Sequence, residues 1–400
     1  MTHRYRIVVV GGGITGLMTA ALLARDDQGD QLDVTVLDAA PRPLFSPDDE
    51  IALRVSAIST GSAALFASVG AWDHVVESRL SGYERMRVWD EDDTPDSPSA
   101  LSFDAAEFAV PQLGFIVENV LLQDALLQQL GRMSVDLRFG TPLRGLRRAE
   151  SHYELELETG DALAADLVIG ADGARSFIRS AAGIDASELP YRQTAFVTHL
   201  EPAEPHRATA WQRFLRVGPL GVLPLHDGRV SVVWSTTPEQ AQAALDADEA
   251  ETGRLLSQAS DYILGNLALA GPRGTFPLCA RHARNYVLPN LALVGDAAHA
   301  IHPLAGQGAN LGLQDAAELA RQVAMALESG LHPGDRPVLR RYVRARKGAN
   351  ATLRNFMTGL NRLFTTDSRL VGGIRAAGMR AFNHSGPLRE QAVRVALGVN

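Results

Sequence analysis

Apolar positions along the chain fall into two textures. In the first, short unbroken runs end in glycine: "YRIVVVGGG" from Tyr5, "LVIGADG" from Leu167 and "LALVGDAAH" from Leu291. Such runs suit strands covered on both faces, as in a parallel sheet. After the first run, "GITGLMTAALLAR" sets Leu17, Ala20, Ala21 and Ala24 at helical spacing, and "LDVTVLDA" follows as a second strand. A βαβ unit therefore opens near residue 4. "ENVLLQDALLQQL" predicts a further helix and "YELELETG" an alternating strand. "WDEDDTPDSPSA" predicts an acidic surface loop between strands.

In the second texture, from about Leu189 to Phe276, apolar and polar positions alternate through "AFVTHL", "TAWQRFLR", "GVLPL" and "RVSVVWS". That alternation predicts antiparallel strands. An acidic helix over roughly Pro238–Gly265 interrupts them, after which the buried-strand texture returns. The alternating region thus reads as an insertion. Beyond Arg336 the pattern is helical, with Leu353, Phe356, Met357, Leu360, Leu363 and Phe364 on one apolar stripe. The expected fold is α/β: a Rossmann-type domain with an inserted, mainly β domain and C-terminal helices. Residues 1–80, 111–185 and 277–335 are assigned to the first domain, 81–110 and 186–276 to the insertion, and 336–400 to the helical end.

Composition narrows the class. Apolar residues at 46% and charged residues at 21% are ordinary for a globular protein, and no run reaches the roughly 20 apolar residues of a membrane span. The chain leads straight into its first strand, which predicts no signal peptide and a cytoplasmic location. The single cysteine, Cys279, excludes an internal disulfide and is expected to be a small buried residue. A net charge of -8 does not suit nucleic acid, but the charge is uneven. From Leu331 to Asn400 the chain carries +10, against -18 for the remainder. A basic end on an acidic body predicts contact with anionic lipid or a partner, at the inner membrane face; the alternative is a set of solvated helix faces.

Three segments carry candidate chemistry. Gly11, Gly13 and Gly16 form G-x-G-x-x-G between the first strand and helix. Their tasks are a tight turn, room for a pyrophosphate and close helix packing. Asp38 ends the next strand, where a carboxylate accepts from ribose hydroxyls and repels a 2′-phosphate. "GADGARS" from Gly170 follows a buried strand, and so does "GDAAHAIHPLAGQGANLG" from Gly295, half of whose residues are Gly or Ala. Small side chains let the backbone approach a ligand closely, and exposed N–H groups suit a negative one. His299 and His302 invite a metal reading, but no carboxylate or cysteine in the motif completes a ligand set. No catalytic base stands out.

In this order and spacing, the three segments resemble those of the class A flavoprotein aromatic hydroxylases, with the 4-hydroxybenzoate hydroxylase fold over about residues 4–340. "HPLAGQGANLG", with "LGFIVEN" upstream, resembles the ubiquinone-biosynthesis hydroxylases that act on polyprenylphenols. The resemblance implies FAD as cofactor and NAD(P)H as electron donor, with the Rossmann-type part as the FAD-binding domain and the insertion as the substrate domain. It implies FAD contacts from Gly11, Gly13, Ile14, Gly16, Asp38, Arg54, Asp172, Gly295, Asp296, Pro303, Gly306, Gly308, Ala309 and Asn310. Asn119 stands where many relatives have Arg, and belongs to the same set. Asp296 would hold the ribityl chain, and Ala309 and Asn310 would lie at the pyrimidine edge of the flavin. The implied reaction hydroxylates a prenylated phenol with dioxygen activated at flavin C4a. The alternatives are another aromatic or alkene substrate, or a non-catalytic flavin-bearing assembly factor.

Overall fold

Tyr5–Val10 is buried from Ile7 onward and lies between two parallel neighbours, Leu32–Leu37 and Leu167–Gly170. In the computed structural model, which describes residues 4–25, 31–302, 307–366, 369–383 and 385–398, these strands form the centre of a six-stranded sheet. Its order is Val287–Leu288, Leu291–Leu293, Leu167–Gly170, Tyr5–Val10, Leu32–Leu37, Val135–Arg138. The glycine-ended runs therefore all place their glycines at one end of the sheet. Helices Ile14–Leu23, Asn119–Leu130 and Gln307–Glu328 contribute Leu17, Leu126, Leu313 and Leu319 to its core.

The insertion builds an eight-stranded sheet, and the early strands Arg85–Asp90 and Leu101–Asp104 complete its edge. Ala186–Pro202 pairs antiparallel with both Val230–Thr236 and Leu267–Ala283. Thr209–Leu215 pairs antiparallel with Gly218–Pro224 and parallel with Arg85–Asp90. The strand Leu267–Ala283 runs unbroken across residue 276 and meets His299–Ala300, so one strand joins the eight-stranded sheet to the third motif. The acidic helix is two helices, Pro238–Asp246 and Glu249–Ala259, because Asp248 accepts from the Glu251 N–H and caps a new start. Leu256 and Ala244 seal them onto Phe196, Val232 and Trp234.

The C-terminal end forms three helices, Arg336–Thr365, Arg369–Asn383 and Pro387–Leu397. The expected single stripe divides. Met357 and Phe364 are buried with Val88, Phe214 and Met379, and Phe364 stacks on Phe214 at 3.9 Å. Phe356 and Leu363 face outward, at 60% and 39% exposure. Cys279 departs from expectation in being only half-buried, since it lines the central cavity.

Candidate active site

The three glycines of the first loop meet three different environments. Gly11 has φ +117°, and a Cβ there would sit 2.3 Å from the Ala171 carbonyl oxygen, so only glycine fits. At Gly16 a Cβ would lie 1.9 Å from the Gly11 oxygen, because the helix rests directly on the strand end. At Gly13 a Cβ would meet nothing within 4 Å. Two glycines are thus demanded by packing, and the third leaves a free cradle at the N-terminus of Ile14–Leu23. Asp38 braces this loop by accepting from the N–H groups of Gly12 and Ala40. Gln123, from the helix Asn119–Leu130, donates to the Gly12 carbonyl at 2.9 Å.

Beside the loop, a cavity of about 1010 Å³ opens between the two sheets. Of the residues expected to touch the cofactor, Gly13, Ile14, Arg54, Asn119, Asp296, Gly308 and Ala309 line it. Gly11, Gly16, Asp38, Asp172, Gly295 and Asn310 do not line it but shape the segments that do. Pro303 and Gly306 lie outside the described residues. Asp296 points its exposed carboxylate into the cavity from the turn Gly295–Ala297. Enclosure by the surrounding protein raises its pKa, against the lowering influence of His299, Arg54 and Arg281. Gly308 and Ala309 occupy the first turn of Gln307–Glu328, so a helix N-terminus faces the same space. Gly312 lets that helix close on Thr15, whose hydroxyl would lie 2.4 Å from a Cβ there.

Asn310 has a job the sequence did not suggest. It accepts from the Ser59 N–H at 2.9 Å and donates to the Ala57 carbonyl at 2.8 Å, tying the helix start to the segment that follows Arg54. Asn119 accepts from the Ser56 hydroxyl at 2.6 Å in the same strip. Asp172 accepts from the Ile178 N–H at 3.0 Å, while its Oδ1 is buried without a partner. Burial raises its pKa, and bonds from Ser176 and nearby N–H groups oppose that rise.

The anchors beneath the third motif were not visible in the sequence. Asp315 is fully buried and accepts from Arg346 at 2.7 Å, Asn350 at 3.1 Å and the Gly295 N–H at 3.2 Å; it also bonds His299 Nε2. Burial alone would raise the Asp315 pKa, but His299 and Arg346 hold it below the usual carboxylate range. Arg179, also buried, donates to the carbonyls of Ala297 and Ala174, joining the second and third motifs. His302 bonds Gln193 at 3.1 Å and meets Tyr191 edge-on at 4.7 Å. A bulge between Pro190 and Gln193, with Arg192 at φ +56°, divides the strand at this pair. Burial lowers the His302 pKa to about 4, so the ring is neutral at physiological pH. Both motif histidines are therefore held in hydrogen bonds to Asp315 and Gln193.

Much of the remaining lining comes from the eight-stranded sheet, where Ala195, Val197, Leu223, Val233 and Phe276 are an apolar floor and Gln212 and Ser235 polar points; Tyr83 enters from the three-stranded sheet of Val55–Ile58, Gly114–Glu118 and Ser81–Tyr83. The Arg54 guanidinium sits 5.9 Å from the Phe276 ring centre, at the meeting of the two parts. Burial pushes the Tyr83 phenol up to about 12, so it keeps its proton. The free cradle at Gly13, the Asp296 carboxylate and the helix N-terminus at Gly308 match the parts of a flavin dinucleotide: pyrophosphate, hydroxyls and an electron-rich ring edge.

The comparisons with known proteins agree. The model of the family described as "FAD binding domain" matches residues 4–355. The 3-demethoxyubiquinol 3-hydroxylase of Escherichia coli (strain K12) is 36% identical over 98% of this chain and 98% of its own length. The mitochondrial ubiquinone biosynthesis monooxygenase COQ6 of Xenopus tropicalis is 35% identical over 98% of this chain and 93% of its own. Among solved structures, p-nitrophenol 4-monooxygenase PnpA from Pseudomonas putida DLL-E4 superposes with a TM-score of 0.75 at 20% identity, over 99% of this chain and 97% of its own. PqsL from Pseudomonas aeruginosa, a probable FAD-dependent monooxygenase, gives 0.77 at 21% identity over 94% and 99%. The glycine cradle, the acid-bearing turns and the cavity between two sheets, together with these matches, place the chain in the family of FAD-dependent monooxygenases that includes the ubiquinone-biosynthesis hydroxylases.

Proposed function

We propose that the protein hydroxylates the aromatic ring of a polyprenylphenol in ubiquinone biosynthesis, using FAD, NAD(P)H and dioxygen. One observation carries the reading: a single cavity is lined both by the cofactor-type loops and by an apolar sheet face on which Gln212 and Ser235 are isolated polar points, with Tyr83 entering from a neighbouring sheet. That is the surface a mostly apolar phenol needs. Relatives named for ubiquinone hydroxylation support the substrate class.

FAD would be held by Gly11, Gly13, Ile14 and Gly16 with Asp38, by Arg54 and Asn119, by Asp172, and by Gly295–Asp296 with Gly308–Asn310. When bound, FAD would supply, with electrons from NAD(P)H, the chemistry that activates dioxygen for transfer of one oxygen atom to the phenol. The chain's own residues do the rest. Protonated Tyr83 can donate to a phenolic oxygen, and neutral His302 keeps the third motif in place without adding charge. The apolar floor excludes water from the reaction.

The substrate's tail is lipid, and among the described residues no helix is long and apolar enough to cross a membrane. We infer peripheral contact with an anionic membrane surface from the cytoplasmic side through the basic C-terminal helices, since Arg336–Thr365 exposes Arg340, Arg344 and Arg362 as well as Phe356 and Leu363. Phenol-dependent NAD(P)H oxidation by the FAD-loaded protein, with mass analysis of the product, tests the central reading. Oxidation with a product one oxygen heavier supports it. FAD-loaded protein that leaves every prenylated phenol unchanged refutes it.

A further inference from the structure

The cavity does not end at the substrate sheet. Val393 and Leu397, on the last helix Pro387–Leu397, line it together with Tyr83, Met86, Phe103 and Leu113. Both are buried, and they pack with Leu113, Phe103 and Met86 as one apolar cluster. The same continuous space touches Gly13, Asp296, Gly308 and Ala309, so this wall and the cofactor loops enclose one volume.

The helix is held there by specific contacts. Arg389 pairs with Glu107 at 2.6 Å, and its guanidinium lies 5.3 Å from the Phe103 ring and 5.5 Å from the Phe108 ring. The Leu397 carbonyl accepts from the Thr60 hydroxyl at 3.1 Å. A Cβ on Gly61 would lie 2.4 Å from the Gly398 oxygen, so the two backbones are in direct contact. Thr60 follows Ser59, which Asn310 holds, and Asn310 follows cavity-lining Ala309. The last helix is thus anchored to the same strip that positions the helix start at Gly308.

We propose that Val393 and Leu397 are specificity-determining residues: they wall the subsite that takes the substrate's apolar polyprenyl tail. The inference rests on the polyprenylphenol reading above. An isoprene chain offers no hydrogen bonds, so its recognition depends on the shape of apolar walls, and here two wall positions come from a short terminal helix. One methylene more or less in an apolar pocket discriminates substrates by about 10–200-fold.

The test compares 2-prenylphenol with 2-farnesylphenol on FAD-loaded full-length protein. Val393→Trp narrows the wall, and the ratio of kcat/KM for farnesyl over prenyl substrate should fall about tenfold, chiefly through KM. Leu397→Ala widens it and should shift the ratio the other way; this variant decides the matter if Val393→Trp fails to retain FAD. Equilibrium binding of 2-farnesylphenol, read from the flavin absorbance, should weaken in Val393→Trp in parallel. Equal changes toward both phenols, or none, in FAD-retaining variants overturns the inference. Wild-type protein inactive on both phenols refutes instead the polyprenylphenol reading on which it rests.

Discussion

Asp296, in the third motif, and Asp315, three residues beyond its end, have opposite surroundings. Asp315 spends its oxygens on His299, Arg346, Asn350 and the Gly295 N–H, whereas Asp296 faces the cavity. Asp315→Ala leaves the half-buried Arg346 and the buried His299 without their partner. It should cost about 3–5 kcal/mol in denaturant unfolding. Asp296→Ala should leave unfolding nearly unchanged and weaken FAD retention by about one to two orders of magnitude, since a charge-assisted hydrogen bond is worth about 1.5–3 kcal/mol. Flavin absorbance after gel filtration reads the difference; full FAD retention in Asp296→Ala removes it from the site.

The histidines give a pH signature. Burial lowers both His302 and His282 from an ordinary value near 6.5 to about 4. The folded state then binds fewer protons than the unfolded state between those values. Stability is fully present above pH 6.5 and declines as pH falls toward 4, by no more than about 3 kcal/mol per ring. Thermal melts of His302→Gln should show a shallower decline; an identical pH slope contradicts the buried neutral ring. "GDAAH" marked Asp296 as a cavity-facing acid, because the turn Gly295–Ala297 that presents it is local in the sequence. Asp315, Arg179 and Gln193 were missed because each meets its partner across elements far apart in the chain, and no local spacing records that.

At the scale of elements, the glycine loop separates packing from binding. Gly16→Ala forces a methyl onto the Gly11 oxygen and should destabilise the protein with or without FAD. Gly13→Ala enters open space, so it should melt like wild type when stripped of flavin and yet rebind FAD poorly. Equal FAD affinity in Gly13→Ala and wild type, measured by fluorescence titration, would show that the cradle is not the pyrophosphate site. The βαβ unit and the buried strands were legible because continuous apolar runs ending in glycine have few other uses. The acidic stretch was read as one helix although Asp248 with Glu251 three positions on is a helix-start signature; the acidic composition masked it. The bulge at Pro190–Gln193 left no such trace, since it answers to the neighbouring strand and helix rather than to local residues.

For the whole molecule, the charge split has two outlets. Arg346, Arg375 and Arg389 pair inward with Asp315, Asp90 and Glu107. Arg340, Arg344 and Arg362 stay exposed on the helix that also exposes Phe356 and Leu363. The apolar stripe looked uniform because spacing marks a broad helix face, but only its Met357–Phe364 side meets the eight-stranded sheet. We expect anionic liposomes to float the protein at low salt and release it as salt rises, each exposed arginine contributing about 1 kcal/mol and screening over about 8 Å at physiological salt. Charge reversal at Arg340, Arg344 and Arg362 should abolish flotation. No flotation at low salt, or copurification of a pathway protein in its place, would remove the membrane contact.

Oxygen labelling tests the central claim most directly. The FAD-loaded protein is supplied with NAD(P)H, a prenylated phenol and isotopically heavy dioxygen, and the product is weighed. The cavity shared by cofactor loops and apolar sheet predicts one heavy oxygen atom in the ring of each phenol converted, in step with one NAD(P)H consumed. NAD(P)H oxidation that leaves the phenol unlabelled, or a ring oxygen drawn from water, would contradict it.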